Sequence, residues 1–433
     1  MGLKKSIYNS EVKKLDNNEI LIFNSFSSAL GIMNESTQII YNNIENINEN
    51  SNENSKEIKI LKDNGFLVDD QLDEFKLLDL NERLIRYDDS KSLILTIAPT
   101  LNCNMSCPYC YEKKNSTRIN LETQQNIINF IKARIDFLNL KKLSIHWYGG
   151  EPLLEKDAIV NISREVIDLC NEKNISYESF IVTNGVLLDF NTAVMLKTKC
   201  NITSAQITLD GVGENNNITR KLNNGLDSFS IITENIEKCK DILNVIVRMN
   251  VNKNNISQPY KLVEYFSERG WVGKVTLYFA PVHSTSEENS CISNTCFTQE
   301  EFAPINDELQ KLLIDNNLSK EYPYPRNMGL GCSALRTNTF VIGPTGEFYK
   351  CWHHIGINDK CIGNLKEGIK FTPLYVKWLT LDYPDKCKKC NILPICRGGC
   401  PDLRVSNNSP ECDYRKINYK KHLIEKYNLL CNK

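Results

Sequence analysis

Seventeen cysteines are the feature that most constrains this chain, because many of them stand at short, fixed spacings. Disulfide scaffolds of secreted proteins are usually short, whereas this chain has 433 residues. Its first residues, MGLKK, carry no apolar stretch typical of a signal peptide, and no apolar run is long enough to span a bilayer. We therefore expect a cytoplasmic protein whose closely spaced cysteines bind metal.

Composition narrows the function class. Hydrophobic residues make up 41% and charged residues 24% of the chain, as in ordinary globular proteins. The net charge of -1, with no clustered basic patch, argues against nucleic acid or an anionic membrane as a partner. The length allows two or three domains, each with its own core.

Residues 1–88 are expected to form a separate small module with a winged-helix-like pattern of elements. Its apolar segment Ile20–Phe23 follows a turn-prone Asp-Asn-Asn sequence, which predicts a hairpin. The other predicted elements are a helix at 36–47, a flexible Asn-rich stretch at 48–55, a short helix ended by Gly65, an apolar strand at 66–68 and a final amphipathic segment.

Residues 89–325 alternate between strand and helix patterns. Strands are predicted at 93–98, 143–148, 180–183, 204–210, 244–251 and 274–282, and helices at 120–138 and 156–172. Such alternation predicts an α/β fold with a parallel sheet, either doubly wound or a partial barrel, with ligands at the carboxyl ends of the strands. In residues 326–433 the periodicity fades, so we expect a tail held together by metal rather than by an apolar core.

A cysteine triplet follows the first of these strands. Cys103, Cys107 and Cys110 form a Cys-x3-Cys-x2-Cys loop. Three thiolates hold three corners of a [4Fe-4S] cluster and leave one iron without a protein ligand. The alternative, a structural zinc site, normally needs four ligands in two pairs.

With Tyr109 before its last cysteine, this loop resembles the signature of the radical S-adenosylmethionine (SAM) superfamily. The resemblance implies a partial (β/α)6 TIM-like barrel in which the open iron chelates the amino and carboxylate groups of SAM. Reductive cleavage of SAM there would give a 5'-deoxyadenosyl radical, which removes a hydrogen atom from the substrate. The three cysteines are then the catalytic metal ligands.

Further residues resemble the SAM-binding motifs of the superfamily. Gly149-Gly150-Glu151-Pro152 resembles the motif that receives the methionine ammonium, with Glu151 as acceptor, although Gly-Gly also occurs in plain turns. Asn184 ends the third strand, and Arg220 and Arg248 are candidates for the SAM carboxylate or ribose. Either arginine is equally explained as a solvated or salt-bridged side chain. The predicted contacts are thus Tyr109, Gly149, Gly150, Glu151, Pro152, Asn184, Arg220 and Arg248.

The tail contains seven cysteines in an order that resembles the SPASM extension of radical SAM enzymes acting on peptides and proteins. The resemblance implies two auxiliary [4Fe-4S] clusters, and three clusters in total. A pair of zinc knuckles is the alternative, which explains Cys-x2-Cys but not all seven cysteines. The implied ligands are Cys332, Cys351 and Cys400 for the near cluster and Cys387, Cys390, Cys396 and Cys412 for the distal cluster.

The near cluster lacks an obvious fourth ligand, because no cysteine lies between Cys296 and Cys332. Either Cys296 or Cys291 supplies it, or one iron stays open and binds a substrate thiolate. The other cysteines, Cys170, Cys200, Cys239, Cys361 and Cys431, are expected to be small buried apolar residues. His353 and His354 receive no role.

The resemblance implies a net oxidation of a peptide, because auxiliary clusters accept an electron from a substrate radical. The N-terminal module resembles the elements that bind leader peptides of ribosomally made precursors by strand addition. The favoured function is thioether crosslinking of a precursor peptide, with an external one-electron donor such as flavodoxin or ferredoxin. The alternatives are an anaerobic formylglycine maturase with a catalytic acid such as Asp210, a carbon-carbon crosslink or epimerisation, and a non-catalytic iron-sulfur electron carrier.

Overall fold

The computed structural model describes residues 2–46, 55–88, 92–283, 289–407 and 412–431. These residues form two compact units. The terminal unit comprises Met1–Tyr87, Glu321–Leu335 and Thr380–Lys433, and the core unit comprises Asp88–Lys320 and Arg336–Leu379. Residues 48–54 of the predicted Asn-rich stretch, and residue 47 of the helix before it, lie outside the described residues.

The elements are numbered in chain order. The strands are β1 Leu3–Lys5, β2 Asn9–Lys14, β3 Ile20–Asn24, β4 Ala29–Met33, β5 Leu67–Asp69, β6 Ser92–Ile97, β7 Lys142–Trp147, β8 Ser176–Thr183, β9 Ile202–Thr208, β10 Asn244–Val251, β11 Thr276–Pro281, β12 Thr339–Ile342, β13 Phe348–Tyr349, β14 Gly363–Asn364 and β15 Gly368–Ile369. The helices are α1 Glu35–Asn42, α2 Ser55–Asp63, α3 Glu74–Tyr87, α4 Leu121–Leu138, α5 Lys156–Glu172, α6 Phe190–Cys200, α7 Glu214–Thr219, α8 Ser228–Cys239, α9 Gln258–Glu268, α10 Gln299–Asp315, α11 Pro373–Leu379, α12 Asp385–Lys388, α13 Leu393–Cys396, α14 Pro401–Asn407 and α15 Arg415–Cys431.

The core unit is built on a sheet with the strand order β11-β10-β9-β8-β7-β6-β12-β13. Strands β6 to β11 are parallel, follow chain order without a switch, and are separated in sequence by helices. This unbroken order is that of a partial barrel, because a doubly wound sheet reverses its strand order at one point. The predicted α/β fold is confirmed, and α5 and β10 have the predicted bounds.

Alternation along β10 separates the apolar core from the site. Val245, Val247 and Met249 are fully buried, whereas Arg248 and Asn250 point to the opposite face. The same period of two puts Gln206 of β9 on that polar face, since Arg248 pairs with Thr208 and Ile246 with Gln206. The polar face of the parallel sheet is therefore the one that a ligand meets.

The first part of the tail extends the core sheet, contrary to the expectation that it lacks an apolar core. Strand β12 is parallel to β6 and antiparallel to β13. Phe340 and Phe348 are fully buried and pack against Phe130 of α4, with ring centroids 6.0 and 4.9 Å from it. Four consecutive buried residues in β12 were too short a run to reveal this strand from the sequence.

The terminal unit contains an antiparallel sheet of order β2-β3-β4 and a separate β1–β5 pair. The predicted hairpin is confirmed: a turn at Asp16–Asn18 joins β2 to β3. Gly65 follows α2 with a φ of 77°, as expected of a residue that ends a helix. Both faces of β3 are covered. Ile22 on one face packs with Ile40 and Ile58. Phe23 on the other face packs with Tyr419 and Leu423 of α15.

A buried charged network holds α3 against the cysteine-rich segment of the same unit. Glu82 of α3 is 1% exposed and accepts hydrogen bonds from Arg86, from Tyr383 and, at 2.9 Å, from Arg397. Arg397 has a φ of 53°, which directs its side chain back toward α3 after the short helix α13. None of the helices in the described part of the chain has the length and apolarity that a membrane span requires.

Candidate active site

The cysteine triplet lies on a loop that the core unit clamps from one side. Asn223 holds the first part of this loop. Its side chain donates to the Cys103 carbonyl at 3.1 Å, and its backbone N–H donates to the Asn104 carbonyl at 3.0 Å. The Ser106 N–H donates to the Lys221 carbonyl at 2.8 Å. Lys114 closes the loop by donating to the Met105 carbonyl at 2.6 Å. The loop backbone is therefore held by hydrogen bonds that do not involve the three thiols.

All three thiols of the triplet line one cavity of about 240 Å³ in the core unit. Burial raises the pKa of the Cys103 thiol and raises that of Cys110 to about 11, and the nearby charge of Cys107 adds to both shifts. Thiols that repel one another's negative charge in this way are a fit for a cation or an iron-sulfur cluster, which would offset the cost. The cavity also extends past the triplet, which leaves room for a further ligand.

Gly149 and Gly150 lie against the start of this loop and line the cavity. A Cβ on Gly150 would stand 2.2 Å from the Asn102 carbonyl oxygen, and one on Gly149 would stand 2.7 Å from the Thr100 carbonyl oxygen. The Gly150 N–H donates to Thr100 at 3.0 Å. Glycine is therefore required here for the close approach of two backbone segments.

Glu151 turns away from the cavity. It is fully buried, and its carboxylate accepts hydrogen bonds from the Leu153 N–H at 3.0 Å, the Thr183 hydroxyl at 2.7 Å and the Asn184 N–H at 2.7 Å. Neither Glu151 nor Pro152 is among the residues that line the cavity. The carboxylate thus orients Asn184, and its direct contact with SAM stays a prediction.

Asn184 connects this arrangement to the cysteine loop. Its side-chain amide donates to the Asn104 side chain at 2.6 Å, and its oxygen accepts from the Val186 N–H at 3.0 Å. Asn184 lines the cavity at the carboxyl end of β8. Its position is where a ligand on the cysteine loop would meet the sheet.

Tyr109, Arg220 and Asp210 form a buried network beside the triplet. The Tyr109 hydroxyl donates to Asp210 and accepts from Arg220 Nη1 at 2.6 Å. Asp210 is 1% exposed and also accepts from the Asn250 N–H at 3.0 Å. Burial raises the pKa of Asp210, whereas the Arg220 charge lowers it. Tyr109 and Arg220 line the cavity, but Asp210 does not, so the carboxylate acts on the site through Tyr109.

Arg248 reaches the same cavity from β10. Its Nε donates to the Asn250 side chain at 2.8 Å, and its guanidinium lies 5.9 Å from the ring centroid of Tyr278. The Tyr278 hydroxyl donates to Gln206 at 2.8 Å. Two of the predicted SAM contacts, Arg220 and Arg248, thus line one cavity with the triplet.

An aromatic wall of the cavity was not predicted. The Tyr111 and Tyr148 hydroxyls are hydrogen-bonded to each other, Tyr148 stacks on Trp352 at 5.3 Å, and Tyr111 contacts the His353 ring at 4.4 Å. In the sequence, this wall is indicated only by the positions of Tyr111 and Trp352. Each of them directly follows a proposed ligand cysteine. All four rings line the cavity, and Trp352 is 43% exposed.

In the terminal unit, the four cysteines predicted for the distal cluster lie close together. Burial raises the pKa of the Cys387 thiol, and the charges of Cys396, Cys390 and Cys412 raise it further. Lys416 donates to the Cys412 sulfur at 3.7 Å. All four are free thiols, and the tight turns of α12 and α13 bring the first three together.

Buried hydrogen-bond donors that lack a partner indicate which kind of metal group fits these four thiols. Among the described residues, the Tyr8 hydroxyl and the Nε and Nη2 atoms of Arg404 have no hydrogen-bond partner, although Tyr8 and Arg404 are 0% and 1% exposed. The charges of Cys390 and Cys387 act on Tyr8 and Arg404, respectively. A [4Fe-4S] cluster adds inorganic sulfides that accept hydrogen bonds, which a zinc ion does not.

The remaining cysteines are placed as follows. Cys332 and Cys400 belong to the terminal unit and Cys351 to the core unit. The Cys296 thiol donates to the Ile292 carbonyl at 3.5 Å, and the Cys291 side chain lies outside the described part of the structure. Cys170, Cys200 and Cys239 are buried as predicted, but Cys361 is half-buried and Cys431 is exposed, so that prediction is wrong for these two.

The comparisons with known proteins agree with this site. Residues 97–278 match the model of the Radical SAM superfamily. A cysteine-type anaerobic sulfatase-maturating enzyme of Clostridium perfringens is 25% identical over 361 residues, which cover 76% of this chain and 94% of that enzyme. The radical SAM cyclopropyl synthase TigE of Paramaledivibacter caminithermalis is 26% identical over 330 residues, 69% of this chain and 65% of that enzyme.

Two solved structures share the fold. Native anSMEcpe with bound AdoMet and Cp18Cys peptide has a TM-score of 0.62 and 22% identity, over 79% of this chain and 98% of that one. Streptococcus suis SuiB bound to precursor peptide SuiA has a TM-score of 0.56 and 17% identity, over 95% of this chain and 98% of that one. A radical SAM domain implies SAM and a [4Fe-4S] cluster as cofactors. Residues 97–278 therefore form the radical SAM domain of an enzyme, and the chain shares its fold with anSMEcpe and SuiB.

Proposed function

We propose that this enzyme forms a thioether crosslink between a cysteine and a carbon atom of a ribosomally made precursor peptide. The observation that carries the proposal is the N-terminal sheet, whose outer strand β4 is paired on one side only among the described residues. An unpaired strand edge binds an extended peptide by main-chain hydrogen bonds. A leader segment is the extended peptide that a precursor would supply.

The surroundings of β4 suit an apolar leader. Helix α1 packs beside this strand, and Ile32 of β4 and Ile39 of α1 are 49% and 59% exposed. Exposed isoleucines on a half-paired strand and the adjacent helix offer side-chain contacts next to the free edge. The opposite outer strand, β2, is less accessible, because Asn391 donates to the Ser10 side chain at 2.8 Å.

Coverage of the known structures supports the same assignment. The anSMEcpe structure covers 79% of this chain, whereas SuiB with its precursor peptide covers 95%. The difference of about 16% of 433 residues is about 69 residues, fewer than the 88 residues of the N-terminal module. A similarity to SuiB over nearly the whole chain favours a precursor peptide as substrate.

We assign three [4Fe-4S] clusters: one on Cys103, Cys107 and Cys110, a near one on Cys332, Cys351 and Cys400, and a distal one on Cys387, Cys390, Cys396 and Cys412. When bound, SAM and its cluster supply a carbon-centred radical that removes one hydrogen atom from the peptide. Thioether formation would release the thiol proton and one electron, and an auxiliary cluster held by the tail cysteines would accept that electron. The peptide as a whole loses two hydrogens.

The residues of the core unit hold SAM and exclude water. We assign six residues as contacts for SAM because all of them line the cavity: Tyr109, Gly149, Gly150, Asn184, Arg220 and Arg248. Asp210 is not free to act as a general base, because Tyr109 and Asn250 already donate to it. The aromatic wall of Tyr111, Tyr148 and Trp352 shields the reacting carbon from water.

Co-expression with small cysteine-containing peptides tests this function. Mass spectrometry should show a loss of two hydrogens and a cysteine that no longer reacts with thiol reagents. Ile32→Glu should lower the yield of this product without lowering SAM cleavage, because the added charge faces the leader edge. Ile60→Glu is the matched control, since Ile60 is 52% exposed on α2 of the same module. Equal product yield from both variants would contradict leader binding at β4.

A second candidate is a formylglycine maturase, which the sequence similarity to the cysteine-type sulfatase-maturating enzyme favours. It predicts that the cysteine sulfur is replaced by a carbonyl oxygen, and that a leader is not required. Incubation with a peptide carrying a sulfatase-type cysteine would distinguish the two, because the aldehyde product reacts with hydrazides whereas a thioether does not.

A further inference from the structure

Tyr8 is a fully buried residue with a polar group near the tail cysteines, and the proposed reaction does not use it. It lies between β1 and β2 and is 0% exposed. Its ring stacks on Phe26 at 5.7 Å with planes 12° apart, and its N–H donates to the Ser6 hydroxyl at 3.1 Å. The ring is therefore fixed in one orientation by its own module.

That orientation directs Tyr8 toward the cysteine-rich segment of the terminal unit. Tyr8 packs in one apolar cluster with Leu78, Tyr383 and Leu393, and Cys387 and Cys390 pack against this cluster. The phenol oxygen has no hydrogen-bond partner among the described residues. A buried hydroxyl without a hydrogen-bond partner is unfavourable, so an acceptor that binds here would stabilise the unit.

We propose that the Tyr8 hydroxyl donates a hydrogen bond to a sulfur of the distal cluster, so that the N-terminal module helps to set the reduction potential of that cluster. The proposal rests on the assignment of a [4Fe-4S] cluster to Cys387, Cys390, Cys396 and Cys412 under the proposed function. The hydroxyl of Tyr383, which belongs to the same apolar cluster, already donates to Glu82.

The direction of the effect follows from charge. Reduction adds one electron to the cluster and makes its sulfurs more negative, so a hydrogen bond to sulfur stabilises the reduced form more than the oxidised form. The hydroxyl therefore raises the reduction potential. Arg404 acts in the same direction, because its buried guanidinium lies near Cys387 and is held over the Tyr383 ring at 4.9 Å. Tyr8 differs from Arg404 in coming from the N-terminal module.

The test is Tyr8→Phe in the full chain with Cys103, Cys107 and Cys110 changed to Ala, which leaves only the auxiliary clusters. A redox titration with dithionite, followed by electron paramagnetic resonance, should show one of the two remaining clusters at a more negative potential and the other unchanged. Electron-nuclear double resonance in D2O should show the loss of one exchangeable proton coupled to the reduced cluster. Tyr41→Phe is the control, because the Tyr41 hydroxyl accepts from Asn9 at 2.8 Å within the same module.

Each outcome decides one question. Unchanged potential and an unchanged exchangeable proton in Tyr8→Phe, with full iron content, would overturn the hydrogen bond and leave the cluster assignment intact. An equal shift in Tyr41→Phe would also overturn it, since the effect would then come from loosening of the module. If Cys387→Ala and Cys412→Ala leave the iron content unchanged, the cluster assignment of the proposed function fails instead.

Discussion

The two cysteine groups of this chain are held by different means. The triplet of the core unit lies on a loop whose backbone is clamped by Asn223 and Lys221, and its thiols face an open cavity. Of the four cysteines of the terminal unit, Cys387, Cys390 and Cys396 lie in or beside the short helices α12 and α13 and pack against apolar residues from the N-terminal module and α15, and Cys412 precedes α15. The triplet leaves space for a further ligand beside its cluster. The four cysteines of the terminal unit suit a cluster that only protein ligands bind.

This contrast indicates which group needs its metal in order to fold. Hydrogen bonds from Asn223 and Lys114 and to Lys221 support the triplet loop independently of its thiols, so we expect its cluster to add more to the chemistry than to the fold. The segment around Cys387 to Cys400 has only turns of four residues in α12 and α13, which are too short to be stable alone. Metal binding is then part of the folding free energy of the terminal unit.

The largest effect on activity and stability is expected from replacing one cysteine of each group with alanine. Cys107→Ala should abolish SAM cleavage and leave the melting temperature nearly unchanged, because the loop keeps its clamps. Cys412→Ala should lower the melting temperature and the iron content but leave cleavage of SAM to 5'-deoxyadenosine, now uncoupled from product. Calorimetry, iron analysis and chromatography of deoxyadenosine measure the three quantities.

Cys431→Ala is the control for both variants, since Cys431 is exposed at the end of α15 and belongs to neither group. An equal loss of melting temperature in Cys107→Ala and Cys412→Ala would contradict the proposal that only the second group needs its metal in order to fold. Cleavage of SAM by Cys107→Ala would contradict the assignment of the catalytic cluster.

A smaller effect is expected from the charge network that supports the tail. Glu82→Gln leaves Arg86 and Arg397 buried with one charge fewer to balance them, and this should cost about 3–5 kcal/mol of unfolding free energy. The control is Glu122→Gln, because Glu122 is 62% exposed and pairs with Lys366 at 2.7 Å, so its loss should cost less than about 1 kcal/mol. Chemical denaturation measures both, and equal values would mean that the network does not support the terminal unit.

The sequence predicts the core unit well for a physical reason. Its strands alternate buried and exposed residues, as in β10, and its helices carry clear caps, such as Asn120 before α4, so local pattern and tertiary packing agree. The fold of the tail could not be predicted in the same way. Strand β12 has four buried residues without alternation, and its pairing with β6 joins segments about 245 residues apart. No local pattern encodes such a partner.

The candidate site divides in a similar way. Spacing alone identifies the triplet, because loop chemistry depends on neighbouring residues. The direction of the Glu151 carboxylate depends on Thr183 and Asn184, which lie about 33 residues away, and was therefore beyond the sequence. The aromatic wall is a further example, since Tyr148 meets Trp352 only through the fold.

Asn184→Ala should show the smallest of these effects and sharpen the account of the triplet loop. The change removes the 2.6 Å hydrogen bond to Asn104 and the 3.0 Å bond to the Val186 N–H, but keeps the backbone bond to Glu151. Loss of one such support costs about 1–1.5 kcal/mol, so SAM affinity should fall by about tenfold with full iron content. Equilibrium dialysis on the reconstituted protein measures this. Asn161→Ala, on the outer helix α5, is the control and should bind SAM as the parent does. If Asn184→Ala also binds SAM normally, hydrogen bonding to Asn104 does not position the loop, and the backbone clamps at Asn223 and Lys221 alone account for its order.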